Sequence, residues 1–232
     1  FLISVTPTLA ADWVQVNEDG FGNTNIQIAV KFVEFNNELY LFTRDASGNT
    51  FLFKTSDGTN WNQVNTGNFG NGQSVTQAIV FNNAIYAIVN DGTPGFLIYK
   101  SSNGTSWAQV GERGLGDSNN TTVWSLTVFN NYLFLGTLNN VSGAKVYQLD
   151  SSDSCQQVNT DGFGNPFNVA VTALVVFNNQ LYAGTYNGAN GTEIWQYNGG
   201  TNWSQVNTSG FGNINNVYVN FFQLNNELFV IT

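Results

Sequence analysis

One unit of sequence recurs five times along this 232-residue chain. Each copy opens with the segment Trp-x-Gln-Val-Asn or a close variant of it, and successive copies begin 48, 46, 48 and 48 residues apart. A period of this length is typical of folds in which each copy is one supersecondary unit that packs on its neighbours. The copies begin near Trp13, Trp61, Trp107, Cys155 and Trp203.

Each copy predicts four short β-strands. Two apolar runs are separated by an Asn-Asn pair, as in Phe81-Asn82-Asn83, and asparagine tolerates the positive φ that a two-residue hairpin turn requires. A third run and then the Trp segment of the next copy follow across polar loops. Helical periodicity is absent from all five copies, so the sequence predicts repeated sheets of four antiparallel strands.

Four antiparallel strands at a period of about 47 residues indicate the blade of a β-propeller. Five copies predict an all-β, five-bladed β-propeller that occupies residues 1–232 as a single domain. The chain ends after the second strand of its fifth copy and begins with Phe1–Thr6 and Trp13, which align with third and fourth strands. We therefore expect the N-terminal strands to complete the last blade and to remove an open sheet edge.

The repeats resemble those of secreted microbial β-propellers. The resemblance is carried by Trp-x-Gln-Val-Asn, Gly-Phe-Gly-Asn, Phe-Asn-Asn-x-Leu-Tyr-x-Gly-Thr and Gly-x-x-Ile-Trp, which together span the chain. In its blade count the sequence also resembles tachylectin-2-type propeller lectins. The resemblance implies the propeller architecture, but the lectin family's own repeat sequence is absent, so its sugar-contacting residues have no counterparts here.

The composition excludes several classes of function. The chain has 6 Lys and Arg residues against 15 Asp and Glu and a net charge of -9, so it lacks the basic footprint that nucleic-acid binding needs. It contains no histidine and one cysteine, which excludes His-based triads, His-ligated metals and intrachain disulfides. We expect no cofactor and no metal.

The sequence favours an extracellular location. The apolar segment Phe1–Thr6 is too short to span a bilayer, which takes about 20 residues. Low charge and a high density of Asn-X-Ser/Thr acceptors favour a secreted or cell-surface protein. The candidate glycosylation sites are Asn103, Asn119, Asn120, Asn140, Asn190, Asn202 and Asn207.

A glycine-rich knot of the type Gly-Phe-Gly-Asn follows each Trp segment. In a propeller these knots lie on one face. One hypothesis is that they form five equivalent shallow pockets, in each of which an aromatic ring stacks on a sugar and an amide bonds its hydroxyl groups. The alternative interpretation is structural: the glycines allow positive φ and the aromatic rings fill gaps between blades. The candidate ligand-binding residues are Phe21, Asn23, Phe69, Asn71, Asp117, Phe163, Asn165, Phe211 and Asn213.

Residues able to perform catalysis are scarce. The Trp residues of the repeats are predicted to pack between neighbouring blades, and Cys155 is predicted to be a small buried residue at a Trp position. The carboxylates stand mostly alone in turns, and Asp150–Asp153 lacks the pattern of a calcium loop. We predict that the chain has no catalytic residues and is not an enzyme.

Two functions follow from these features. The first is a non-catalytic recognition or adhesion module that binds glycans weakly at several equivalent sites, where multivalency raises avidity. The second is a structural subunit of an extracellular filament or surface layer, in which Phe1–Thr6 completes the last blade of the next molecule by strand addition.

Overall fold

The computed structural model describes residues 3–4, 14–64 and 72–232 and shows an all-β fold. The strands of these residues are β1 Ile3–Ser4, β2 Val14–Gln15, β3 Ile26–Phe35, β4 Glu38–Asp45, β5 Thr50–Thr55, β6 Asn62–Val64, β7 Ser74–Phe81, β8 Ala84–Asn90, β9 Leu97–Ser101, β10 Ala108–Val110, β11 Thr122–Phe129, β12 Tyr132–Leu138, β13 Val146–Leu149, β14 Cys155–Gln157, β15 Ala170–Phe177, β16 Gln180–Tyr186, β17 Ile194–Tyr197, β18 Trp203–Gln205, β19 Asn220–Leu224 and β20 Glu227–Ile231. Short 3-10 turns cover Asp19–Gly22, Arg113–Gly116, Asp161–Gly164 and Ser209–Gly212.

The strands form antiparallel sheets in sequence order, as the repeat predicts. Strands β3 to β6 form one four-stranded sheet, and β7 to β10 form another. Strands β11 to β14 and β15 to β18 form two further sets of four, which a single pairing of Leu138 with Ala170 joins into one sheet. The predicted unit of four antiparallel strands is therefore confirmed in the described residues.

The chain divides into two compact units. The first unit comprises residues 1–87 and 99–108, and the second comprises residues 88–98 and 109–232. Strands β1 and β2 form a two-stranded sheet, and β19 and β20 form another. The count of five blades and the completion of the last blade by the N-terminal strands stay predictions. Trp13 lies outside the described residues.

The Asn-Asn pairs form the predicted hairpin turns. Both asparagines of every pair have positive φ, from 45° at Asn82 to 61° at Asn131 and Asn226. Two successive left-handed residues match the twist of the flanking strands, and the short polar side chain of asparagine makes this conformation accessible. The repeated Asn-Asn pair is thus explained by the turn itself.

In the fourth and fifth copies the asparagine of the Gln-Val-Asn segment bonds to the third strand of the sheet. In the fourth copy Asn159 accepts a hydrogen bond from the Val146 amide at 2.7 Å, and in the fifth Asn207 accepts one from Ile194 at 2.7 Å. The Gln157 side chain donates to the Asn159 carbonyl at 2.7 Å. These side chains take the place of backbone partners where the fourth strand ends, so the segment is repeated for structural reasons.

Each unit has its own apolar core. In the first unit Tyr40, Leu41, Phe42 and Leu52 are fully buried. In the second unit the core cluster draws its members from strands β11 to β16 and the loops between them, and Phe163, Trp195, Tyr197 and Trp203 pack against it. Its buried members are Phe129, Phe134, Ala144, Val146, Val158, Val171, Leu181 and Ala183.

Candidate ligand-binding cleft

The glycine knots are left-handed turns that the backbone holds tightly. In the third described knot, Gly162 has φ 57° and Phe163 has φ 57°. A Cβ atom on Gly143, in the preceding loop, would lie 2.8 Å from both Cα and N of Gly162. Two backbones therefore touch at this point, and only glycine leaves room for the contact.

Buried asparagines fasten the knots of the second unit. Asn120 donates to the Gly114 carbonyl at 2.8 Å, and Asn168 donates to the Gly162 carbonyl at 2.9 Å. Asn187 in turn donates to Asn168 Oδ1 at 2.9 Å. Because these amides are buried and saturated, they rigidify the knots and are not available to a ligand.

The knot aromatic of the fourth copy packs as the structural interpretation predicts. The Phe163 ring stacks on Trp195 with centroids 5.0 Å apart and meets the edge of Trp203 at 5.3 Å. The Trp203 indole N–H donates to the Val158 carbonyl at 2.7 Å. The indole thereby joins its own strand to the chain before the knot. We call this arrangement closed.

The first copy has the same aromatic arrangement with a different indole contact. The Phe21 ring stacks on Phe53 at 4.5 Å and meets Trp61 edge-on at 5.4 Å. The Trp61 indole donates to the Gly58 carbonyl of its own turn at 3.2 Å. A cleft of about 270 Å³ lies beside these rings, which we call the Phe21–Trp61 cleft. Its lining residues are Asn17, Glu18, Phe21, Thr59, Asn60 and Trp61.

The polar wall of the Phe21–Trp61 cleft is preorganised. Asn60 donates through its side chain to Asp57 Oδ2 at 2.6 Å and through its backbone to Asp57 Oδ1 at 2.7 Å. These hydrogen bonds, led by that of the Asn60 side chain, hold the pKa of Asp57 well below its usual range. The turn is therefore fixed before any ligand arrives, which lowers the entropic cost of binding.

Among the predicted ligand-binding residues that the structure describes, Phe21 alone lines this cleft. Asn23 accepts a hydrogen bond from the Asn25 amide at 3.1 Å, and Asn213 accepts one from Asn215 at 3.0 Å, so each stabilises its own turn. Phe211 is 48% exposed. Phe69 and Asn71 lie outside the described residues.

Asp117 and Asn165 belong to two partly buried polar clusters, one in each of two successive copies, that the sequence analysis missed. The Lys145 ammonium lies 2.8 Å from Asp161 and 3.5 Å from Asp117. At the equivalent position of the next copy, Glu193 accepts hydrogen bonds from Asn165 at 3.0 Å and from other donors. Lys145 aligns with Glu193, and this reversal of charge between successive copies was the signal available in the sequence.

The charges around Lys145 support one another. Burial acts to raise the pKa of Asp161, but the Lys145 ammonium and the Gln157 amide outweigh burial and hold that pKa below its usual range. Burial likewise acts to lower the pKa of Lys145, and its contact with Asp161 reverses the effect, so the pKa of Lys145 is raised. This network stabilises the second unit and does not resemble a ligand site.

Trp107 is buried, whereas Cys155 is half-buried rather than buried as the sequence predicts, and Trp61 lines the Phe21–Trp61 cleft. Trp107 is 7% exposed and meets the Phe42 ring edge-on at 6.0 Å. Burial, with a smaller contribution from the Asp150 charge, raises the pKa of Cys155 to about 12. A thiol with this pKa is not a nucleophile at neutral pH.

One glycosylation candidate requires correction. The Asn120 side chain is 0% exposed and donates to Tyr147 as well as to Gly114, so a glycan has no room there in the folded chain. Asn207 is half-buried and its amide is bonded to the backbone. The remaining candidates are exposed, namely Asn103, Asn119, Asn140, Asn190 and Asn202.

The described residues contain neither a metal-binding cluster nor a helix that could cross a membrane. Residues 3–4, 14–64 and 72–232 contain no group of three or more His, Cys, Asp or Glu residues that could hold a metal ion. Within the same ranges, no helix has the length and apolar character needed to cross a membrane.

Solved structures similar to this chain include a lectin and two enzymes. The SapL1 lectin in complex with alpha methyl fucoside superposes with a TM-score of 0.54 at 11% identity, covering 85% of this chain and 68% of the lectin chain. A prolyl endopeptidase superposes with a TM-score of 0.53 at 12% identity over 73% of this chain, which spans only 24% of the endopeptidase. An alpha-L-arabinofuranosidase from Clostridium thermocellum gives a TM-score of 0.48 at 14% identity, with coverage of 86% and 79%. At these identities the likeness shows the fold alone.

Sequence comparison gives the family more directly. No curated protein matches the sequence. The model of the DUF6242 beta propeller domain matches residues 11–127, which is more than half of the chain and includes every residue that lines the Phe21–Trp61 cleft. The repeat, the antiparallel sheets and this match agree, and the chain belongs to the DUF6242 beta propeller domain family.

Proposed function

We propose that the chain is a non-catalytic, extracellular carbohydrate-recognition module and that the Phe21–Trp61 cleft binds a sugar unit. The observation that carries the proposal is the composition of the cleft, where two half-buried aromatic rings stand beside the side chains of Glu18 and Asn60. Aromatic surface contacts the apolar C–H face of a sugar, and carboxylate and amide groups bond its hydroxyls. The structural likeness to the SapL1 lectin supports the same class of ligand.

The lining chemistry favours binding over hydrolysis. Most glycoside hydrolases use a pair of carboxyl groups about 5 to 10 Å apart on either side of the scissile bond. Glu18 is the only carboxylate among the six residues that line the cleft as described. A single exposed carboxylate can orient hydroxyl groups, and the described lining residues offer no second carboxylate of the kind that retention or inversion uses.

The proposal places the ligand at one described cleft and does not require five equivalent sites. In the fourth copy the matching position is closed by the bond from Trp203 to the Val158 carbonyl. A shallow cleft of this size is expected to bind a single sugar weakly, with a Kd of about 1 mM or higher, which corresponds to about 4 kcal/mol. Repetition of the protein on a surface would raise this affinity through avidity.

Titration with a panel of methyl glycosides, including methyl α-fucoside, tests the proposal. We expect saturable shifts of the Trp61 indole and Asn60 amide resonances in NMR spectra, and loss of these shifts in Phe21→Ala. Phe211→Ala removes the matching knot ring of the fifth copy and is the control, which should bind normally. If no glycoside of the panel moves these resonances while the protein remains folded, the proposal is wrong.

A second candidate function, a structural subunit of an extracellular assembly, is favoured by the exposure of β19 and β20. Phe222 is 53% exposed and Leu224 is 61% exposed, and apolar surface of this kind promotes association. Light scattering and electron microscopy of the intact protein test it. Ordered polymers that disappear when residues 1–6 are deleted would support strand exchange, whereas single particles at high concentration would exclude it.

A further inference from the structure

A second cleft lies in the second unit, at the end of the strands that carries the Asn-Asn turns. The knots lie at the opposite strand end in each sheet, because the first strand runs from a knot to an Asn-Asn turn. This cleft has a volume of about 430 Å³, and we call it the Asn130–Tyr197 cleft. Its lining residues are Phe129, Asn130, Asn179, Gln180, Tyr197, Asn198 and Gly199.

A depression of similar volume to the Asn130–Tyr197 cleft lies one repeat later and has different chemistry. A neighbouring cleft of about 420 Å³ has Phe177 and Asn178 in the positions of Phe129 and Asn130, and Glu227 in that of Gln180. Aliphatic residues, among them Val206 and Leu228, also line it. The repeat therefore places a Phe-Asn pair at both depressions, while the other lining side chains are particular to each copy.

The polar groups of the Asn130–Tyr197 cleft are held in place. Asn130 has φ 48° and Asn179 has φ 57°, so both occupy the fixed left-handed positions of hairpin turns. Gln180 accepts a hydrogen bond from Gln196 at 2.5 Å and donates to the Asn179 carbonyl at 3.1 Å. Asn198 donates to the Ser204 hydroxyl at 2.8 Å.

Tyr197 forms the aromatic wall and is anchored by its ring. The ring meets Phe134 edge-on at 5.4 Å and lies 4.9 Å from Trp203. Its hydroxyl donates to Gln148 over a long 3.3 Å contact. Burial raises the pKa of Tyr197 above the ordinary phenol value of about 10, which already keeps the hydroxyl protonated at neutral pH.

We propose that the Asn130–Tyr197 cleft is a second binding site and that it takes a neutral, hydroxyl-rich ligand of the size of a sugar ring. All seven lining residues are uncharged. Amide groups offer donors and acceptors side by side, which is what a hydroxyl group needs, whereas an ionic ligand would be desolvated there with no counter-charge. This inference rests on residues different from those of the Phe21–Trp61 cleft.

NMR titration of the full chain with neutral and charged glycosides tests this site. The probes are methyl glucoside, methyl galactoside and methyl fucoside, with methyl glucuronide and glucosamine as charged counterparts. We expect the neutral probes to shift the side-chain amide signals of Asn130 and Gln180 saturably. If no neutral probe shifts them, or if the charged probes bind as strongly as the neutral ones, the proposal is overturned.

Variants separate this site from the Phe21–Trp61 cleft. Asn130→Gly keeps the positive φ and removes the amide, and we expect about three- to tenfold weaker binding, the loss of one hydrogen bond. Asn131→Gly, in the same turn but not lining the cleft, is the matched control and should bind normally. Phe21→Ala should leave these shifts intact even if it abolishes binding at the first cleft. Equal effects of Asn130→Gly and Asn131→Gly would contradict the assignment.

Discussion

The knots of the first and fourth copies combine the same aromatic residues in an open and a closed arrangement. Phe21 and Phe163 each stack on a third-strand ring and meet a fourth-strand tryptophan edge-on. The tryptophans differ in their indole hydrogen bond, which goes to Gly58 in the local turn for Trp61 and to Val158 across the knot for Trp203. One hydrogen bond thus distinguishes a position that lines a cleft from one that joins two segments of the fold.

The comparison shows that repetition of a motif does not imply repetition of a binding site. Where their contacts are described, the asparagines of the Gln-Val-Asn segments hydrogen-bond to the backbone, and the knot glycines allow two backbone segments to touch. On the proposed function, a site arises where a copy departs from this pattern and leaves polar groups and aromatic rings beside solvent. Changes that target the closed arrangement should therefore cost stability, whereas changes at the open one should cost binding.

The largest expected effect is on the closed knot of the fourth copy. Gly143→Ala places a Cβ atom 2.8 Å from the Gly162 backbone at a φ of 96°, and the free energy of unfolding should fall by about 3 kcal/mol or more. Gly164→Ala has φ 88° but no atom within 4 Å, so it should lose only about 1 kcal/mol. Chemical denaturation measures both, and similar losses would show that the contact between backbones is unimportant.

The next effect concerns the buried cation of the second unit. Lys145→Met leaves Asp117 and Asp161 without their cation and should lower the free energy of unfolding by about 2 kcal/mol at pH 7. Lys54→Met breaks a more exposed pair with Glu38 at 2.9 Å in the first unit and should cost about 0.5 kcal/mol. Thermal denaturation compares the two, and a larger loss for Lys54→Met would contradict the role of burial.

The Lys145 network also predicts how stability depends on pH. The pKa values of Asp117 and Asp161 are depressed in the folded chain, so their contribution is present above the ordinary carboxyl pKa of about 4 and is lost as the pH falls through the folded values. The pKa of Lys145 is raised, so its contribution is lost only as the pH rises beyond about 10.4. The difference between wild type and Lys145→Met should shrink below pH 4, and a constant difference would count against the ion pairs.

A smaller effect compares the two tryptophans directly. Trp203→Phe removes the donor to the Val158 carbonyl and should cost about 1 to 2 kcal/mol of stability, whereas Trp61→Phe should cost about 0.5 kcal/mol. In glycoside titrations at the first cleft the order of the two variants should be reversed, because we expect only Trp61→Phe to weaken binding. Denaturation and NMR titration of both variants test this. If the variant that loses more stability also loses more binding, the distinction between the open and the closed knot is wrong.

The smallest effect is expected at two exposed asparagines. Asn23→Ala and Asn213→Ala each remove a local turn contact and should change stability by about 0.5 kcal/mol or less. Neither residue lines a described cleft, so glycoside binding should be unchanged. Loss of binding in either variant would restore the original hypothesis that every knot contributes a site.

Much of the architecture could be predicted because the strands and turns of one copy follow from short sequence motifs, and these motifs recur at one period along the chain. The Asn-Asn pairs predict hairpins because few residues other than glycine accept two successive left-handed positions, and all five pairs adopt them. The role of Phe163 as a packing residue was foreseen as one of two interpretations. The candidate site was only partly predicted, since Phe21 was named but Glu18, Asn60 and Trp61 were not assigned to it.

The sequence by itself determined the strand order within each copy, the turns, and the glycine and asparagine positions that backbone geometry requires. These depend on interactions between residues close in the chain or one repeat apart, and a repeat displays them several times. Only the tertiary structure decided which indole bonds across a knot, which amides are buried like Asn120, and which depressions stay open. Those outcomes depend on packing between segments distant in sequence, where a difference of one hydrogen bond selects between two arrangements of the same motif.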